Sequence, residues 1–439
     1  MSKFSFRGGI HPLHDIHGGK SATREKPIRA FLPGSVTIPV NMHLGTPSVP
    51  CVKKGERVLL GQVIAEPAGS RGIPVHASVS GEVTAVGPKQ SLGRLPVTCI
   101  TIANDEKDEW AVMQALGDVE TATPDKIIAR IRDAGICGMG GACFPTHAKM
   151  TIPAGKTIDT ILLNGAECET FLNADYRLML EQPKRVVDGL RAAMRAMNVK
   201  RGIIAIEDNK MEAVAAMQQG ALGREGVEIA VLRTKYPQGG EKQLIEAVLN
   251  REVPSGGLPM DVNVVVLNVA TAAAITDAVV EGKPCISRVT TVAGAVNDPA
   301  NLLLRVGTSV ADVASACGGY TEEPGKIFMG GSMTGICIPD DSVPMTKANN
   351  GIVVLTRKQA ELPTESACIR CAKCIDACPV RLDPTRLRSL IDLDKLEEAK
   401  KEHVMDCIVC GACSYVCPAK RWLAPAIKDA KERIAEGGK

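Results

Sequence analysis

The stretch Cys368-Ile369-Arg370-Cys371-Ala372-Lys373-Cys374-Ile375-Asp376-Ala377-Cys378-Pro379 is answered further on by Cys407-Ile408-Val409-Cys410-Gly411-Ala412-Cys413-Ser414-Tyr415-Val416-Cys417-Pro418. Both have the form Cys-x2-Cys-x2-Cys-x3-Cys-Pro, which holds paired [4Fe–4S] cubes. The three close thiolates of a run serve one cube, and the fourth crosses to the other. The spacing therefore assigns Cys368, Cys371, Cys374 and Cys417 to one cluster, and Cys407, Cys410, Cys413 and Cys378 to the second. Thiolates alone also suit zinc, but structural zinc sites use cysteine pairs rather than triplets closed by Cys-Pro. Small residues between the ligands (Ala372, Gly411, Ala412) let the main chain approach the cubes and point N–H groups at sulfur. Between the runs, Asp383-Pro384-Thr385 precedes Leu387, Leu390, Ile391 and Leu393. That is an N-cap, a first-position proline and helical apolar spacing. A helical di-cluster, ferredoxin-like module is expected. Two clusters in so small a module form a wire, and a wire needs a source.

The rest of the chain is ordinary globular material. It has 439 residues, 45% apolar, 23% charged and only 3% aromatic, with a net charge of +3. That length suits several domains. So few aromatics and so little net charge argue against a nucleic-acid partner. The sixteen cysteines accompany an N-terminus, Met1 to Arg7, without an apolar signal core, which points to a reducing compartment. The most apolar stretch, 262–276, contains Asn263, Asn268 and Thr271 and stops at Asp277. It is shorter than the roughly 20 residues a transmembrane helix needs, so no membrane span is expected.

Upstream, residues 36–102 read as short β-elements with glycines at turns: Gly55, Gly61 and Gly81 punctuate alternating apolar residues. The pattern is similar to the barrel-sandwich hybrid of biotinyl and lipoyl carrier domains. The stretch comparable to the carrier tip, Ala77-Ser78-Val79-Ser80-Gly81, has no lysine, so a structural role is expected. From about residue 120 the period changes. Thr123 and Pro124 open a helix that runs to Gly135. Strand-like runs at 158–163, 202–206, 227–232 and 262–267 alternate with helix-like runs such as 183–197 and 241–249, the pattern of a largely parallel α/β layer. Residues 288–356 return to short strands, clearest at 288–294, 325–329 and 351–355.

After the first of these helices comes Gly135-Ile136-Cys137-Gly138-Met139-Gly140-Gly141-Ala142-Cys143-Phe144-Pro145-Thr146-His147-Ala148-Lys149. Its glycines let main-chain N–H groups surround an anion, and Lys149 can add a full charge. It is not the dinucleotide fingerprint, because Cys143 stands where the third glycine falls. The loop is followed by Asn164-Gly165-Ala166-Glu167-Cys168-Glu169, by Gly239-Gly240-Glu241 and by Asn268-Val269-Ala270-Thr271.

This series resembles the flavoprotein subunit of respiratory complex I. With the opening Phe6-Arg7-Gly8-Gly9-Ile10-His11-Pro12, the hybrid barrel, Pro254-Ser255-Gly256-Gly257-Leu258-Pro259 and the paired cysteine runs, it resembles the RnfC family more closely. These are peripheral subunits of the Rnf ferredoxin:NAD oxidoreductases, and the resemblance covers nearly the whole chain. It implies a multidomain α/β protein: an N-terminal barrel-sandwich hybrid (1–115), an α/β domain for FMN and NADH (116–285), a β-grasp or SLBB domain (286–357), and the helical 2×[4Fe–4S] domain (358–439). It further implies FMN resting on Gly138, Gly140 and Gly141, with Lys149 near its phosphate. Asn164, Gly240, Glu241, Asn268 and Thr271 would line the ring and ribityl chain. Phe144 would stack on the dinucleotide, and Glu167 and Glu169 would act at flavin and nicotinamide. Cys143, Ala166 and Ala270 depart from the complex I pattern.

The chemistry points the same way. A nicotinamide moves two electrons as hydride and a cubane moves one, so a flavin must mediate. The expected activity is NADH-linked electron input to a membrane-bound, ion-translocating ferredoxin:NAD oxidoreductase. The expected partners are its ferredoxin-like and membrane subunits, met at the cytoplasmic face. Two alternatives remain open on these residues: a soluble flavin and iron–sulfur cobalamin reductase of microcompartment type, and a non-enzymatic di-cluster electron carrier. Glu167 and Glu169 also read as ordinary surface carboxylates. The group His11, His14 and His17 reads as incidental. Cys137, Cys143 and Cys168 read as buried packing, and Cys51, Cys99, Cys285, Cys317 and Cys337 as structural.

Overall fold

Thr160–Gly165 is one of the two inner strands of a four-stranded sheet in the computed structural model, which describes residues 4–13, 19–93 and 95–437. The order across this sheet is Val227–Leu232, Arg201–Glu207, Thr160–Gly165, Val264–Asn268, and every pair is parallel. Such strands are covered on both faces, so they are apolar without alternation. Ile161 and Leu163 enter one core with Ile204 and Leu190. Leu162, between them, enters another with Ile203, Leu244 and Ile245. Sequence order reverses between Thr160–Gly165 and Val264–Asn268. In open α/β sheets the carboxyl ends of the strands at such a reversal form a crevice for ligands.

The helix Pro124–Asp133 begins where the proline places it, but Thr123 makes no side-chain cap; the fixed φ of Pro124 is the start signal that operates. The expected strand at 262–267 begins later, at Val264, because Pro259–Val262 forms a 3-10 turn.

The N-terminal region holds an antiparallel four-stranded sheet (Arg57–Val58, Gly81–Lys89, Val97–Asn104, Ser35–Pro39) and a three-stranded one (Val49–Pro50, Val63–Glu66, Val75–His76). They close over a shared core of Ile38, Val58, Ile64, Val79 and Ile100. Ala77, Ser78, Val79 and Ser80 are fully buried, and the Ser78 hydroxyl donates to the Val306 carbonyl. A stretch so enclosed presents no carrier group.

Residues 287–355 supply five strands of a mixed six-stranded sheet with the helix Val310–Ala316 packed on it. Its outermost strand comes from far away: Ile28–Ala30 runs parallel to Ala300–Arg305. The N-terminal arm is thus shared among neighbours. Phe4 bridges to Leu232 of the parallel sheet and Ile10 bridges to Tyr236.

The C-terminal module is helical. Asp383 caps Pro384–Asp392 by accepting from Thr385 N (2.9 Å) and Arg386 N (3.0 Å). Leu387 and Leu390 pack against Ile427 and Ile434 of Leu423–Gly437. The two cysteine runs repeat one backbone path. Shifted by 39 residues (Cys368 to Cys407), the left-handed positions Arg370, Ala372 and Arg381 fall on Val409, Gly411 and Lys420, which are left-handed too. Among the described residues, no helix is long and apolar enough to cross a membrane.

Candidate functional site

The glycine loop folds over the crevice at the sheet's reversal. Asn268, the last residue of its strand, caps the helix Val269–Thr276 by accepting from Ala270 N (2.8 Å). One turn on, Thr271 Oγ1 accepts from Met139 N (2.9 Å) and so pins the glycine loop to that helix. From behind, the buried Arg288 guanidinium donates to the Met139 and Lys347 carbonyls, while Lys347 Nζ donates to Gly135 O (2.7 Å). The loop is held by its main chain at both ends, and its exposed middle is open. A Cβ at Gly141 (φ +140°) meets no atom within 4 Å.

Between loop and strands lies a cleft of about 520 Å³. Gly138, Gly140, Gly141, Phe144, Lys149, Asn164, Glu167, Glu169, Gly240, Glu241, Asn268 and Thr271 all border it. Segments separated by more than a hundred residues meet there. Lys149 Nζ is paired with Glu241 Oε1 at 2.8 Å. Asn164 donates to Gly239 O (2.8 Å) and accepts from Ala166 N (3.1 Å), which holds the chain turning after the strand. The walls carry buried polar atoms without partners, Thr146 Oγ1 and Gln243 Oε1. Unpaired buried groups of this kind are costly and fit a hydrogen-bonding ligand. A glycine cradle, a lysine and these atoms suit a phosphorylated, polar-edged flavin.

Of the two carboxylates, Glu167 is buried and Glu169 is half-buried. Glu167 accepts from Asp175 N (3.1 Å) and Tyr176 N (3.2 Å), holding the first turn of Ala174–Glu181. Glu169 accepts from Met333 N (3.1 Å) and from the Thr334 hydroxyl, so it ties the cleft to the 330–335 loop. Burial raises its pKa, partly offset by those bonds. Beneath them, Lys20 Nζ donates to Glu167 O (2.8 Å) and Leu172 O (2.6 Å), and burial lowers its pKa to about 8.

Sequence reasoning passed over Asp175, Tyr236 and Gln243, which also line the cleft. Burial, then the neighbouring Glu167 charge, lifts the Asp175 carboxyl to about 6; Asn268 Nδ2 donates to it at 2.7 Å. Gln243 could have been found from its place just after Gly239-Gly240-Glu241. Nothing local marks Asp175 or Tyr236. Cys137, Cys143 and Cys168 are buried as expected. Cys168 Sγ accepts from Gly239 N (3.3 Å), and burial pushes its thiol far up, away from reactivity. Of the histidine group, His14 and His17 lie outside the described residues. Cys99, Cys285 and Cys317 are buried, whereas Cys51 and Cys337 are exposed.

The cysteine runs gather in crossed sets. Cys368, Cys371, Cys374 and Cys417 surround one hollow, and Cys378, Cys407, Cys410 and Cys413 surround a smaller one. Among the described residues no three such side chains converge tightly enough for a single ion, whereas thiols spread around a hollow suit a cube. The second set is the inner one. Cys410 and Ile408 form part of the flavin-cleft wall, and Tyr236 Oη donates to Cys410 O at 2.7 Å. The first set is outer, with Cys368 and Cys371 exposed.

Comparison with known proteins agrees with this layout. The RnfC barrel-sandwich hybrid domain matches residues 4–107, the Nuo51 FMN-binding domain 131–277, the SLBB domain 289–336 and the 4Fe-4S dicluster domain 362–418. The chain therefore carries an FMN-binding domain and iron–sulfur sites. A solved NAD+-reducing [NiFe]-hydrogenase chain in the H2-reduced state shares the fold at TM-score 0.52 and 18% identity, over 74% of this chain and 67% of its own. The similar relatives are C subunits of larger complexes. That of the proton-translocating ferredoxin:NAD(+) oxidoreductase of Clostridium ljungdahlii is 44% identical, over 99% of this chain and 95% of its own length. The Na(+)-translocating counterpart of Acetobacterium woodii is 42% identical over 98% and 97%. The counterpart in the ion-translocating oxidoreductase complex of Rhodobacter capsulatus is 41% identical over 99% and 84%. With such identity along nearly its entire length, the chain belongs to the RnfC family, the C subunits of ion-translocating ferredoxin:NAD(+) oxidoreductase complexes.

Proposed function

We propose that this chain is the electron-input subunit of a membrane-bound, ion-translocating ferredoxin:NAD oxidoreductase. It exchanges hydride between NAD(H) and FMN and relays single electrons through two [4Fe–4S] clusters. The observation that carries this reading is the shared wall: Cys410, a ligand of the inner cluster set, borders the same cleft as the glycine loop. Bound in the cleft, FMN supplies the exchange between a two-electron hydride and the single electrons that clusters carry. The residues do the placing. The glycine loop and Lys149 take the phosphate; Asn164, Glu241, Asn268 and Thr271 orient the ring and ribityl chain. Phe144 receives the dinucleotide, and Glu167 and Glu169 hold the floor on which flavin and nicotinamide meet. The inner set (Cys407, Cys410, Cys413, Cys378) would hold the cluster beside the flavin cleft, as the first electron acceptor, and the outer set (Cys368, Cys371, Cys374, Cys417) would hold the one that carries electrons onward at the surface. The divisions 1–115, 116–285, 286–357 and 358–439 serve as functional units, with the N-terminal arm lying across three of them.

The subunit sits peripherally at the cytoplasmic face, with the ferredoxin-like and membrane subunits as partners. Free thiols at ligand spacing belong to a reducing compartment, and no described helix crosses a membrane. Mixing the loaded protein anaerobically with NADH in a stopped-flow instrument should bleach the flavin before the clusters. Cluster reduction with no preceding flavin phase would sink this order. Lys149→Ala should weaken FMN binding by about 10- to 150-fold, the value of a charged hydrogen bond of roughly 1.5–3 kcal/mol. Fluorescence titration of FMN into the apoprotein checks this, and an unchanged Kd removes Lys149 from the phosphate.

A further inference from the structure

The repeat in the C-terminal module supplies an internal control. The two cysteine runs share one backbone path, so the residues between ligands are comparable position by position. In the inner run these are Ile408 against the flavin cleft, half-buried Val409 and fully buried Ala412. In the outer run the same positions hold Ile369, 67% exposed, and the exposed cations Arg370 and Lys373. Since the inner run follows the same path with Val409 and Ala412, winding the chain around a cluster does not require charge at these positions.

The hollow of the outer set is rimmed by Arg370, Lys373, Arg386, Arg388 and Arg421, with Asp383 as the sole carboxylate among its lining residues. Asp383 is spent on capping its helix. Arg388 is held by Asp392 and Glu365, Arg421 by the same two acids, and Arg386 by Glu402. Arg370 and Lys373 have no ion pair among the described residues. They flank Cys371, itself exposed. An apolar centre, unpaired cations and an electron-carrying site reaching the surface together make a docking face.

We propose that Ile369, Arg370 and Lys373 form the surface on which a small acidic protein docks its own exposed one-electron centre against the outer cluster. This rests on the reading of the outer set as the far end of the electron path. Each encounter transfers one electron: the reduced cluster is oxidised, the partner's centre is reduced, and no bond or proton moves. Two encounters drain the pair delivered by NADH, and in reverse two encounters fill it. Complementary charge at such a rim governs encounter and is screened by salt.

The test uses the full chain loaded with FMN and iron–sulfur clusters, and a strongly acidic ferredoxin as probe. Wild-type affinity, measured by calorimetry, should fall as salt rises. In Arg370→Glu/Lys373→Glu it should be at least about tenfold weaker at low salt, with little salt dependence. NADH reduction of an uncharged naphthoquinone and the midpoint potential of the outer cluster should match wild type. Unchanged affinity overturns the proposal. So does a shifted potential with equal loss toward both acceptors, because the cations then serve the cluster and not a partner. If NADH fails to bleach flavin in wild type, the electron-input reading fails, while the affinity measurement still judges the docking face.

Discussion

Cys378→Ser is expected to abolish the cluster of the other run, the one built by Cys407, Cys410 and Cys413. Cys378 sits 29 residues before Cys407 in the chain, yet it borders the same hollow as these three and not the hollow of its own triplet. Its sulfur already accepts from Leu382 N at 3.3 Å, as Cys407 accepts from Val409 N at 3.4 Å, so main-chain N–H groups are aimed at both ligands. A serine oxygen is a harder, shorter and more basic donor than thiolate and replaces it poorly at iron. Iron content should fall by roughly half, since one cube of two is lost. NADH should still bleach flavin, but electrons should no longer reach the outer cluster, because the missing cube lies between it and the cleft. Cys417→Ser should do the opposite, leaving flavin-to-inner-cluster transfer and removing only the outer signal. Electron paramagnetic resonance of the two variants separates the clusters. If each variant instead lost the cluster of its own triplet, the crossed assignment would be wrong. Because cluster binding contributes folding energy, thermal melts of both variants accompany the spectra.

Gly8→Val is expected to slow the passage of electrons from flavin to clusters by displacing the strap that packs against the main chain of Cys378. Gly8 lies in the N-terminal strap at φ +79°, and a Cβ there would stand 2.5 Å from the carbonyl oxygen of Cys378. The strap is bonded on both sides of the gap between domains. Gly9 N donates to Ala377 O (3.0 Å) in the cluster module; Ile10 N donates to Tyr236 O (2.7 Å) and Arg233 N to Phe4 O (2.8 Å) on the flavin side. Valine meets the left-handed cost of about 1–2 kcal/mol, and overpacking adds about 1–3 kcal/mol. The strap's hold should therefore weaken by roughly 10-fold or more, at 1.4 kcal/mol per factor of ten. NADH should reduce flavin at the wild-type rate while cluster reduction slows, and the Gly9, Ile10 and Tyr236 amides, which donate the strap's bonds, should exchange faster with solvent. Iron content and flavin occupancy should stay at wild-type levels. Cluster reduction at the wild-type rate, with the strap shown by exchange to be loosened, would mean that the strap does not set the flavin-to-cluster approach.

Much of the molecule could be read from local sequence because the signals are local. Pro124 and Pro384 start helices through their fixed φ, and Asp383 caps through a bond to the next turn. The apolar strand runs mark a sheet buried on both faces. The residues expected around the flavin come to one cleft because parallel strands bring their carboxyl ends to the same edge. What those residues touch was not legible. Glu167 and Glu169, read as catalytic or as surface acids, are enclosed by a helix end and by the 330–335 loop. Tyr236, Asp175 and Arg288 carry no motif, and their roles come from contacts across more than ninety residues of chain. The strand Ile28–Ala30 finds its partner some 270 residues later, at Ala300–Arg305, and no periodicity announces such a pairing.

The cysteine runs mark the division most sharply. Sequence alone determined the thiolates, their crossed spacing and the glycine loop that accompanies them, because ligand spacing along a tight backbone path is a short-range property. Tertiary structure alone decided which run faces the flavin and which faces the surface. The two runs are near-equivalents in local conformation, so local energetics cannot tell them apart. The choice lies in what packs on the inner one: the Tyr236 hydroxyl on Cys410, the cleft against Ile408 and the 330–335 loop over Gly411. Those contacts join segments distant in the chain, and only folding brings them together.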